Sequence, residues 1–85
     1  MAIGGREAKE RAQTAALSWA ERAEDEYEEA RHYADQARAK EKQPFQDAAE
    51  ERAGQREHTQ LAADARAMAE MWASVARLFP PEPES

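Results

Sequence analysis

Residues 12–37, AQTAALSWAERAEDEYEEARHYADQA, decide the fold. Apolar side chains recur there at Ala12, Ala16, Trp19, Ala23, Tyr27, Ala30, Ala34 and Ala37, always in steps of three or four. An α-helix turns once in about 3.6 residues, so this spacing lines one helical face and leaves the charged residues on the others. From Arg6 to Lys42 there is neither glycine nor proline, and residues that lose little on entering a helix (Ala, Glu, Arg, Lys, Gln) dominate. The repeat is nearer eleven residues (12, 23, 34) than seven, which predicts a nearly straight pairing with a neighbouring helix.

Working outward, Pro44 ends this helix, because it disfavours α geometry at Gln43 and suits the first position of a following helix. Asp47, Glu50 and Glu51 come next, where the positive end of a helix dipole favours them. A second stripe runs through His58, Leu61, Ala65, Met68, Trp72, Val75 and Phe79, in alternating steps of three and four. Phe45, Ala48, Ala49 and Ala53 are out of phase with it, and Gly54 falls where the phase changes, so a kink is expected there. The chain then divides into a flexible start (1–5), a helix (6–42), a turn (43–45), a second helix (46–79, kinked near 54) and an extended Pro/Glu tail (80–85).

A short turn between helices of similar length gives an antiparallel hairpin, in which facing residue numbers add up to a constant near 87 or 88. Both stripes obey this. Ala12 pairs with Val75, Ala16 with Trp72, Trp19 with Met68, Ala23 with Ala65, Tyr27 with Leu61, Ala30 with His58 and Ala34 with Gly54. Large residues mostly face small ones, as interdigitated packing requires. The fold class is therefore all-α, an antiparallel two-helix hairpin. Alanine accounts for 21 of the apolar residues, and only twelve larger ones lie between Arg6 and Phe79. So few cannot seal two long helices from water, so self-association into a four-helix bundle is the expectation.

Composition narrows the function. Eighty-five residues make one domain, and a net charge of −6 disfavours binding to nucleic acid or to an anionic membrane through bulk charge. The absence of cysteine excludes disulfides, thiolate metal sites and cysteine nucleophiles. The longest uncharged run, Ala12 to Ala20, is far too short to cross a bilayer. The first eleven residues lack the apolar run of a secretory signal, which makes the cytoplasm the expected location.

Three features could carry chemistry. Glu29-Ala30-Arg31-His32 has the Glu-x-x-His spacing used by carboxylate metal sites in helical bundles, but at 100° per residue both ligands fall away from the apolar stripe. His58 lies on the seam, where a tyrosine or glutamate would satisfy it and where burial could move its titration. Glu24, Asp25, Glu26, Glu28 and Glu29 form an acidic band expected on the outer face. Trp19, Met68, Met71, Trp72 and Phe79 cluster toward one end as the expected association surface. No phosphate loop, catalytic triad or zinc spacing is present. The sequence therefore predicts a non-enzymatic assembly or adaptor module, without cofactor or metal, working with copies of itself or another protein. The alternatives are an acidic mimic that engages a basic surface and a carboxylate-rich metal-binding bundle.

Overall fold

The computed structural model describes residues 4–79 and consists of two helices, α1 (Gly5–Glu41) and α2 (Ala49–Arg77), joined by residues 42–48. Gly5 lies beside Phe79 at one end and Lys40 bonds Glu51 at the other, so the helices run antiparallel along their whole length. The fold is the all-α hairpin expected. Glu7 in the first turn of α1 and Arg38 and Lys40 in its last turn complement the helix dipole.

The connection is longer than the three-residue turn expected at 43–45. The Gln43 amide closes on the carbonyl of Lys40, and Phe45 adopts a left-handed backbone, φ 67°, that helps reverse the chain. The Asp47 carboxylate then accepts a hydrogen bond from the amide of Ala49 at 3.0 Å, satisfying one of the orphan donors that open a helix. This is why α2 begins at Ala49 and not at 46: an aspartate that captures the first free amide outcompetes Pro44 as the starting signal. At the other end, Leu78 and Phe79 bond back to Val75 and Ala76, so α2 stops at Arg77 rather than Phe79. The expected flexible start and the Pro/Glu tail fall outside the described residues, apart from Gly4 and Gly5, and Gly5 already belongs to α1.

As expected, α2 runs through Gly54 as one continuous helix. A Cβ built on Gly54 would come within 2.8 Å of Cδ1 and Cε1 of Tyr33. The glycine is a recess for that ring.

The seam itself is made of alanine. Ala12, Ala30, Ala37, Ala65 and Ala76 are buried between the helices and Ala48 is buried in the connection, while among the described residues no large side chain is fully enclosed. Half-buried residues flank them, among them Trp19, Ala23, Tyr33 and Ala34 from α1 and Met68, Trp72 and Val75 from α2. Two members of the expected stripes are displaced. Tyr27 is 60% exposed and Leu61 41% exposed, and their places in the seam are taken by Glu26 and Ala62. A carboxylate can enter because His58 waits across the seam to bond it. Among the described residues, no helix is long and apolar enough to cross a membrane.

Candidate interaction surface

On α2, beside the alanine seam, Leu61, Met68, Met71, Val75 and Leu78 follow one another at helical spacing, with Asp64 filling the gap after Leu61. Met71 is 44% exposed and Leu78 81%; Met68 and Val75 are half-buried. This leaves an apolar ridge along one flank of the hairpin. Of the association residues expected from sequence, Met71 is on the open ridge and Met68 at its inner edge. Trp19, Trp72 and Phe79 are instead half-buried. The guanidinium of Arg22 lies 5.2 Å from the Trp19 ring centroid, a cation–π contact that covers part of the indole. Sequence reasoning assigned Leu61 to the seam and left Leu78 out. Leu78 could have been found from its step of three from Val75 and of seven from Met71.

Across the middle of the seam sits a polar cluster. His58 Nδ1 is 2.5 Å from Glu26 Oε2, and both side chains are largely screened from solvent. Tyr33 stacks on the imidazole, with ring centroids 5.3 Å apart and planes 14° from parallel. The hydrogen bond to Glu26 raises the His58 pKa above the ordinary histidine value; desolvation opposes this, and Glu26, Glu57 and Glu29 add attraction for the charged form. Glu26 is therefore removed from the acidic band in which the sequence placed it. An apolar periodicity cannot reveal a carboxylate that enters a seam to meet a cation.

The remaining acids of the band, Glu24, Asp25, Glu28 and Glu29, are exposed on α1. His32 is also exposed and meets Tyr33 edge-on, with centroids 6.3 Å apart. Glu29 and His32 thus do not point into the hairpin, and among the described residues no group of three His, Cys, Asp or Glu is placed to hold a metal ion.

Near the connection two ion pairs bridge the helices. Lys40 Nζ donates to Glu51 Oε1 at 2.5 Å, and Arg52 grips Glu41 with two bonds of 2.8 and 2.9 Å. These bonds raise the pKa of Lys40 and Arg52 and lower those of Glu51 and Glu41. Glu51 is the one buried charged residue among those described, and its second oxygen is buried without a hydrogen-bond partner. Phe45, at the tip of the connection, is fully exposed. Comparison with protein-family models, with curated proteins and with solved structures gave no match to this chain.

Proposed function

We propose that this chain is a non-enzymatic assembly or adaptor module that works through protein–protein contact. The observation that supports the reading is where the larger apolar residues of α2 lie: six alanines are buried, while Leu61, Met71 and Leu78 stand exposed along one side of α2. Contiguous apolar surface on a small protein marks a contact surface more often than a chemical one. The test is thermal unfolding by circular dichroism over a hundredfold range of protein concentration. Association that binds only the folded chain makes the midpoint rise with concentration. A midpoint independent of concentration, with a monomer in sedimentation at every loading, would reject self-assembly.

A second reading is favoured by one specific feature. Glu24, Asp25, Glu28 and Glu29 lie close together on the surface of α1, and none of them makes an ion pair among the described residues. Such a band suits a basic partner. Binding of that kind weakens steeply with salt, because the screening length falls to about 3 Å at 1 M.

A further inference from the structure

We propose that the ridge on α2 receives a second copy of this chain, docked antiparallel about a two-fold axis that passes between Met68 and Met71. The inference rests on the assembly reading and specifies its partner and geometry.

The order of residues on the ridge supplies the first argument. A two-fold interface is self-complementary: if one residue meets a second on the other copy, the second meets the first. For antiparallel helices the numbers of facing residues then add up to a constant, which any sequence satisfies, so the register is set by which residues it brings together. The ridge reads Leu61, Asp64, Met68, Met71, Val75, Leu78. Its ends are both leucine and its centre is a methionine pair, so Leu61 meets Leu78 of the second copy and Met68 meets Met71. Asp64 falls opposite Val75, with its carboxylate already bonded to Gln60 Nε2 at 2.9 Å on the exposed edge. The two Asp64 residues would stand roughly 16 Å apart along the axis at 1.5 Å per residue, about twice the screening length at physiological salt. Parallel docking would place one directly on the other.

Charge supplies the second argument. Two copies of a chain carrying −6 repel unless they meet where the charge is balanced. Residues 58–79 carry Asp64, Arg66, Glu70 and Arg77, two of each sign, so this stretch is neutral with His58 uncharged. The exposed acids Glu24, Asp25, Glu28 and Glu29 are all on α1. Contact through α2 keeps the two acidic bands apart.

The chain has no cysteine, so an introduced thiol is the sole one and cross-linking reads the register directly. Chains carrying Leu61→Cys and Leu78→Cys, one enlarged by a size tag, are mixed in equal amounts and mildly oxidised. The mixed disulfide is expected to exceed either homodisulfide about tenfold, because in this register two Leu61 positions lie roughly 25 Å apart. Homodisulfides in excess would overturn the antiparallel arrangement. In sedimentation, Met71→Glu is expected to weaken the dimer at least about tenfold by placing a charge at its centre, with helicity unchanged. Tyr27→Ala, on the opposite flank beside Ala23 and Ala62, should leave dimerisation within about twofold of wild type, a change worth less than half a kcal/mol. A dimer indifferent to Met71→Glu would overturn this interface while leaving the assembly reading intact. A wild-type chain that stays monomeric would overturn this interface and self-assembly alike.

Discussion

Replacing Gly54 with alanine tests how the two helices are held, because two effects of known size oppose each other there. In an exposed helix interior, glycine to alanine stabilises by roughly 0.5–1 kcal/mol through backbone entropy. Here the new methyl would lie 2.8 Å from two Tyr33 ring carbons and 3.0 Å from a third, where ordinary contact begins at 3.4 Å. The ring must move by more than half an ångström, and lifting it away disturbs its stacking on His58, one turn further along α2. Overpacking of this kind costs about 1–3 kcal/mol, so the net effect in the wild-type chain is a destabilisation of up to about 2 kcal/mol. Removing the ring reverses the sign: in a Tyr33→Ala background, Gly54→Ala should stabilise by about 1 kcal/mol, since only the propensity remains. Urea unfolding of the four chains, followed by far-ultraviolet circular dichroism, measures the coupling directly. If Gly54→Ala stabilised the wild type as much as it stabilises Tyr33→Ala, the recess would not exist.

Three further outcomes are expected. The His58 contribution to stability is present below its unfolded value of 6.5 and lost as pH rises through its raised folded value. The Glu41 and Glu51 contributions are present above 4.5 and lost on acidification through their lowered values. Thermal midpoints should therefore be highest between about pH 4.5 and 6.5, and Glu26→Gln should flatten the alkaline decline; an unchanged decline would mean that another group causes it. Lys40→Met should lower the midpoint more than Arg38→Met, because Glu51 is buried and Asp35 is exposed; equal effects would show that the Glu51 pair contributes no more than a surface pair. Phe45→Gly should raise stability by up to about 1 kcal/mol, since a left-handed backbone costs a non-glycine residue more than the added chain entropy; a clear loss would show that the exposed ring has a partner in the folded chain.

The hairpin was legible in the sequence because alanine recurs on one face of both segments, and that signal depends only on helical period. Its details followed interactions that carry no period. Glu26 displaced Tyr27 because His58 stood opposite, a choice decided between helices and invisible within either one. Gly54 looked like a kink in a continuous helix when α2 was read alone, yet its missing side chain is explained by a tyrosine twenty-one positions earlier. The start of α2 was misplaced because proline and aspartate both signal a beginning and the capture of an amide by Asp47 prevailed. For the candidate surface, Met71 was found by its size and position, whereas Leu61 was assigned to the seam because apolar period does not separate a seam from the flank beside it.

The cross-helix hydrogen bonds between described side chains are not spread evenly. Lys40 with Glu51, Arg52 with Glu41, and His58 with Glu26 all lie in the half of the hairpin nearer the connection. Toward the far end the seam rests on Ala12, Ala65 and Ala76 and on half-buried aromatic rings, contacts that tolerate sliding and separation far better than a directed bond does. The molecule is thus built like a pair of tongs, riveted at the bend and sprung at the tips. Amide exchange should climb steadily with distance from the rivets. Whatever grips the ridge from Met68 to Leu78 would meet the sprung end of the tongs and not the riveted one.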